Sequence, residues 1–590
     1  MGRHTGLLLL ACCALALSAA PAAAHEDDAS GESIARQGDP LASSRAQAAV
    51  PTREEPAQNA TPRAQCGPGA RPEPSIQGRV PADAVASGDA EPGYFCNLSL
   101  LGREGTQGGY KVERFVDRVG RECAYYDTTL LFPTNALSAT LSGKPTGVAV
   151  LDMSDPARPV RTATLVTPAM QSPHESLLVN QKRGLLAAVM GNPLFAPGVV
   201  DIYDLNADCR RPRLQSSSPV GLLGHESGFA PDGRTFYATS IFTGMVTAVD
   251  VTDPKAPSIL GVFNYPSHGL TVSDDGDRGY VAGVDGLQVV DLSEVQARRR
   301  NPRAPQLSSL TWKSRTIPQV AIPVTIGGRP MLVEVDEFSA AGRGGVASNG
   351  PEVGAARIID ISDERAPRVV SNLRLAVHQP ENRAQLAGDP GAGSPAQGYA
   401  AHYCSVPTRV DPGIVACSFI ASGLRVFDIR DPTAPKELAY FVAPPGNLGG
   451  TPLGLERSNY AMSKPAFDVE RGEIWYSDGN SGFYALKVAK GVWPFEAAPS
   501  RVGLPSARRC LSRRAFTVRL RAPRGAALRS AVVRLDGRRV RVRRQGRRLT
   551  ARVDLAGRPK VTAKLSVVAR TPSGRVVRET RRYRTCAKRR

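Results

Sequence analysis

Four histidines are placed where they could act together. His174 in SPHESLL, His225 in LGHESGF, His268 in PSHGLTV and His402 in AAHYCSV each stand at the start of an alternating apolar run, and Gln319 in IPQVAIP holds the matching place in a fifth. Neutral imidazole is a ligand for Cu or Zn and an acid–base group near neutrality. Glu175 and Glu226, each following a histidine, would serve as further ligands or orienting partners. Such a centre could polarise a substrate or activate water. The same histidines, next to small residues, would also suit packing and hydrogen bonding at a channel mouth. A ring wider than about 6 Å would put the nitrogens out of reach of Zn–N bonds of ~2 Å. The sequence has no G-x-S-x-G elbow, H-E-x-x-H helix or phosphate-cradling glycine loop, which argues against hydrolase, zincin and nucleotide chemistry. SDDGD at Ser273 reads as a turn, since a calcium loop of the EF-hand kind needs a Glu at its twelfth position and flanking helices.

The elements that must position these residues come from a repeat. GVAVLDMSDPARP at Gly147, VVDIYDLNADCRRP at Val199, MVTAVDVTDPKAP at Met245, GLQVVDLSEVQARRRNPRAP at Gly286, ARIIDISDERAP at Ala356 and GLRVFDIRDPTAP at Gly423 share one pattern, and GFYALKVAKGVWP at Gly482 is a degenerate seventh copy. Asp152, Asp204, Asp250, Asp291, Asp360 and Asp428, with Lys487 in the seventh copy, are spaced by 52, 46, 41, 69, 68 and 59 residues, a blade-like period with two insertions. Alternating Val, Ile and Leu make a strand buried on both faces, and Asp-Pro supplies the turn. Each copy, with the strand pair upstream of it, forms a four-stranded antiparallel sheet that must stack on others. The expected fold is all-β: a seven-bladed β-propeller followed by a small disulfide-closed β-sandwich. NLSLLGREG at Asn97 is similar to the outer strand PSILGVFNY at Pro257, so the N-terminal piece should complete the last blade.

The runs ARIID, GLRVFD and GLQVVD resemble the LVIVD-repeat β-propellers over roughly residues 94 to 495, and AHYCSVPTRV and GEIWYSDGNSGFYAL look like exported bacterial members. The resemblance implies a propeller in a secreted or cell-surface setting, without a settled activity. The two insertions, SAAGRGGVASNGPEVG after MLVEVDEF and QPENRAQLAGDPGAGSPAQG before His402, fall on the face that carries the histidines. They could be lids or partner contacts, with Glu334, Asp336, Glu337 and His378 beside them.

Residues 1–24 read as a cleaved signal peptide ending at Ala24, and 25–65 as a flexible leader; a lipobox-like LLAC ending at Cys12 is the weaker reading. No later stretch is apolar for long enough to cross a membrane as a helix. Eight cysteines remain after the signal, without C-x-x-C pairs, so disulfides in an oxidising compartment are expected. Cys404 with Cys417, across a hairpin, and Cys510 with Cys586, bracketing the last domain, are the favoured pairs.

The formal charge of +21 is local: residues 501–590 carry 30 Lys and Arg against 3 Asp and Glu, so the first 500 residues are net −6. The chain as a whole is therefore not a nucleic-acid binder. The expected domains are a propeller over 66–500 and a basic, immunoglobulin-like sandwich over 501–590, whose arginines could attach the protein to a cell-wall polyanion or another anionic surface. The leading functional reading is a secreted or cell-surface module that binds a small ligand or protein at the funnel face. The alternative is a metal-dependent, oxidoreductase-like propeller enzyme using Cu or Zn at His174, His225, His268 and His402.

Overall fold

The computed structural model describes residues 55–129, 146–191, 198–240, 243–338, 353–393, 397–446, 457–495, 504, 515–520, 528–546, 548–555, 562–570 and 576–585. The signal peptide, most of the leader, Cys510, Cys586 and the first of the two insertions lie outside these residues. No helix among the described residues is long and apolar enough to cross a membrane.

The chain is all-β, built of successive antiparallel sheets in which consecutive strands are neighbours. The first sheet comprises Val112–Val116, Glu122–Asp127, Val148–Asp152 and Val160–Leu165. The first strands of the next five begin at Leu178, Gly228, Gly269, Ile317 and Ala401. The last sheet holds Ala466–Asp468, Glu473–Asp478 and Gly482–Val488. Two earlier strands, β1 (Tyr94–Cys96) and β2 (Leu98–Glu104), complete the end of the series. β1 adds a fifth strand to the sheet of Ala401, while β2 pairs antiparallel with Gly482–Val488 as the outer strand of the last sheet.

The third strand of each of the first six sheets ends at the repeat Asp, and its carboxylate accepts the backbone N–H two residues on: Asp152 from Ser154, Asp250 from Thr252, Asp360 from Ser362, Asp428 from Arg430. This Asx turn redirects the chain to the outer strand. Lys487 cannot accept such a bond; there the strand runs on to Val488, and β2 arrives from elsewhere in the chain.

Alternation along the strands sends successive side chains to opposite neighbours. In the first sheet Cys123 and Tyr125 pack with Leu186 and Ala188 of the second, whereas Ala124 and Tyr126 pack with Trp475 and Phe483 of the last. Equivalent apolar seams join every other adjacent pair. The seam between last and first sheets closes the series into a β-propeller, with the first strands innermost. Cys123–Cys209 staples the first sheet to the second, Cys404–Cys417 links adjacent strands of one sheet as the hairpin argument requires, and Cys66–Cys96 ties the incoming chain to β1.

Part of the segment that composition marks as flexible makes long-range bonds. Thr61 N–H bonds Arg374 O, and Ala64 N–H donates to Glu437, so the segment expected to be flexible up to residue 65 is already docked at 61. Its anchor is the fully buried Arg425, held between Glu73 and Glu437. Beyond 504, two antiparallel sheets, of three and four strands, share one apolar cluster built around Val518, Val533, Val553 and Val567.

β2 supplies the test of closure. Leu98 is buried in the seam between the last two sheets, whereas Leu100 on the same strand is 49% exposed. Leu98→Ala should lower stability by about 2–4 kcal/mol and Leu100→Ala by at most about 0.5 kcal/mol in denaturant titrations. Equal effects would mean that β2 does not seal the ring.

Candidate functional site

The innermost strands begin at one hub. His225 and His268 extend their strands by donating backbone N–H to Thr239 O and Ala282 O, and His402 lies within Ala401–Ser405. Close approach requires glycine at two points. A Cβ on Gly191 would lie 2.2 Å from His174 Cβ, and one on Gly269 would lie 2.2 Å from Gln319 O and 2.6 Å from Glu226 Cγ. His174 and Glu175 adopt left-handed φ of 40° and 74°, a conformation that costs side-chain-bearing residues energy. Ser176 holds them there through Oγ, bonded to Val189 O at 2.8 Å.

The imidazoles meet inside the protein. His174 Nε2 lies 3.1 Å from His225 Nε2, and the His225 and His268 ring centroids are 4.3 Å apart. Glu175 spans two histidines: Oε2 is 3.0 Å from His225 Nδ1 and Oε1 is 3.2 Å from His402 Nε2. Glu337 does the same, with Oε1 3.1 Å from His268 Nε2 and Oε2 2.9 Å from His402 Nε2. The Nδ1 atoms of His268 and His402 face backbone carbonyls, Pro318 O at 3.0 Å and Met462 O at 2.7 Å. A carbonyl only accepts, so each Nδ1 carries a hydrogen and each Nε2 is turned toward carboxylate oxygen.

A polar layer supports this group. Gln319 donates its amide to Glu175 and to Tyr403 Oη at 2.7 Å, and Tyr403 donates to Glu226 at 2.7 Å. Lys111, wholly buried, also pairs with Glu226 and lies 4.3 Å from the centre of the Tyr403 ring. Tyr110 packs on His174 and His402. Gln319 Oε1 is buried and accepts no hydrogen bond among the described residues. A cavity of about 410 Å³ adjoins this layer, walled by Glu226, Tyr403, Glu113, Lys464, Leu270 and Val320.

The charges follow from burial and pairing. Burial opposes a charged His402, but Glu175 and Glu337 outweigh it and hold the group up at about 10. Burial likewise opposes the Glu175 carboxylate, yet His225 and His402 bring it well below the usual range. His174 is depressed to about 4 by burial and by His225, and burial also drives His268 well down. Glu337 and Glu226 are raised and Lys111 is lowered, chiefly by burial in each case.

His174, Glu175, His225, His268, Gln319 and His402 thus share one hub, with Glu226 linked to Gln319 through Tyr403. Glu334 and Asp336 do not reach it. They point to the opposite face of their strand from Val333 and Val335, where Arg357 bonds both and Trp312 Nε1 donates to Asp336 at 2.9 Å. His378 is also remote: its Nδ1 accepts from Leu375 N and its Nε2 donates to Tyr399 O at 2.9 Å. The described part of its insertion docks on the N-terminal segment through Arg79 and Asp389, 2.8 Å apart. The three are tied into a sheet seam and the N-terminal segment, and the insertion after Phe338 that they were expected to adjoin lies almost wholly outside the described residues. Lys111, Tyr110 and Tyr403 were missed. GGYKVERF and AHYCSV place them at the same register as the histidines, which is the signal that could have found them.

No family model matches the chain, and no curated protein matches it. Among solved structures it is similar to the periplasmic gluconolactonase of Pseudomonas aeruginosa, at 14% identity over 58% of this chain and 93% of that one, with a TM-score of 0.38. A putative 6-phosphogluconolactonase from Bacteroides fragilis matches at 11% over 58% and 92%, with a TM-score of 0.36. The β-propeller domain of Myceliophteria thermophila Cps50 (Swd1) matches at 13% over 66% and 99%, with a TM-score of 0.39. Likenesses this distant assign no activity.

His378 carries a pH prediction. Burial, with Arg374 nearby, depresses it from 6.5 to about 3, so between those values the unfolded chain takes up a proton that the folded protein refuses. Stability should fall as pH drops from about 6.5 toward 3. His378→Gln should flatten that part of a Tm-against-pH curve, and an unchanged slope would remove His378 as its cause.

Proposed function

We propose that the protein is an exported, seven-bladed propeller of the LVIVD-repeat kind, whose hub binds a transition metal ion, Cu or Zn, to hold a small ligand. The observation that carries this is the commitment of Nδ1 in His268 and His402 to backbone carbonyls. Their Nε2 lone pairs then face carboxylate oxygens 2.9–3.2 Å away, and two acceptors tolerate that separation only with a cation between them. A proton or a metal ion can fill that role. His174 and His225 Nε2, 3.1 Å apart, stand at N–H···N hydrogen-bond distance, which leaves His225 Nδ1 facing Glu175 Oε2. Carboxylate–imidazole pairs of this kind orient metal-ligating histidines. An oxidoreductase-like enzyme would require the ion, whereas a metal-free protein would favour a ligand-binding module, so its presence is the first test.

Oxidised full-length mature protein, reconstituted with Cu or Zn and dialysed, should retain metal in elemental analysis. His225→Ala should lower retention at least tenfold without loss of the folded state in circular dichroism. A metal-free wild type would overturn the reading.

The C-terminal sheets support a second role, as an immunoglobulin-like sandwich for envelope attachment. Arg519 and Arg543 flank Thr550 on adjacent strands, with Arg552 in the next outward row and Asp554 beyond it, and the three arginines are exposed. Such rows bind polyanions by counterion release. Deletion after Ser500 should abolish retention on isolated cell walls, and raising salt from 50 to 500 mM should release the intact chain; retention that ignores both would exclude this role.

A further inference from the structure

We infer that the hub holds two metal ions, bridged by the carboxylate of Glu175. The inference rests on the metal reading above and goes beyond it in number, geometry and ligand class. The candidate ligand atoms fall into two triads, His174–Glu175–His225 and Glu175–Glu337–His402, each with its atoms within 4.8 Å of one another, and the triads share only Glu175. They lie on its two oxygens: His225 Nδ1 is 3.0 Å from Oε2, whereas His402 Nε2 is 3.2 Å from Oε1, so the first ion would take His225 through Nδ1. A carboxylate divided in this way is a 1,3-bridge, and bridged ions in two-metal centres stand about 3.5–4 Å apart.

Two further observations point the same way. Gln319 donates one amide hydrogen to Glu175 Oε2, which keeps a second lone-pair direction for an ion, while Gln319 Oε1 is left buried without a donor beside it. Among the described residues neither Glu175 nor Glu337 is paired with Lys or Arg, because the one lysine of the hub, Lys111, is taken by Glu226. The charged partners of both carboxylates are imidazoles, whose place bound ions would take. Two divalent ions against two carboxylates retain net positive charge, so their open positions select an anionic or readily deprotonated oxygen-donor ligand.

The test uses the full mature chain, stripped of metal and reloaded with Cu(II). Two ions per chain are expected after dialysis, with paramagnetic resonance intensity well below two isolated spins because the ions are coupled. His174→Gln, which changes a partly exposed side chain, and His402→Ala should each retain one ion with a full-intensity uncoupled signal, and Glu175→Gln should lose the coupling. Thermal melts of each variant establish that it is folded, and the wild-type stoichiometry stands as the test if one is not. One uncoupled ion per wild-type chain would overturn the bridge and leave the metal reading intact. No retained ion would overturn both.

Discussion

Closure of the ring is the constraint from which the site follows. Each inner sheet is apolar on both faces, and each face finds a partner only if the last sheet meets the first. That condition forces the beginnings of the innermost strands, separated by tens of residues in sequence, into one small volume. Side chains there are enclosed whatever their polarity: Lys111, Glu175, Glu226, Gln319, His225, His268 and His402 are buried and His174 half-buried, and Glu337, at the end of a neighbouring strand, joins them. Burying so many ionisable groups is unfavourable unless they satisfy one another, and the observed network of carboxylates between imidazoles is such a solution.

The repeat made the propeller legible before the strands were placed. Its Asp marks the turn after each third strand, and the two-residue periodicity of Val and Ile marks strands with two covered faces. The register of His225, His268 and His402 was legible for the same reason. Less visible was which side of a strand each acid faces. Glu334, Asp336 and Glu337 are adjacent in sequence, yet Arg357 draws the first two into a seam while the third, at the strand end, turns into the hub. Composition also gave no sign of the docked segment ahead of β1. Pro, Gln and Ala look linker-like, but the docking of residues 61–64 is decided by long-range partners, Arg374 and Glu437, that no local pattern encodes.

The hub and the strap illustrate two ways of burying charge. Around Arg425, two carboxylates saturate one guanidinium, a closed arrangement with geometry fixed by planar hydrogen bonding. Around Glu175 and Glu337 the counter-charges are imidazoles, which can surrender protons and present nitrogen lone pairs. The first kind of cluster serves attachment of the strap; the second can exchange its positive charge for another, which is what a binding centre needs.

The pairing of β2 with Gly482–Val488 has a bearing on biogenesis. The strand that finishes the circle is made before any of the blades, and its partner is made after nearly all of them. A nascent chain therefore holds an unmatched edge throughout translation and cannot complete its native topology until almost the whole polypeptide has left the ribosome. Such a delay leaves the ring open until its last sheet is made.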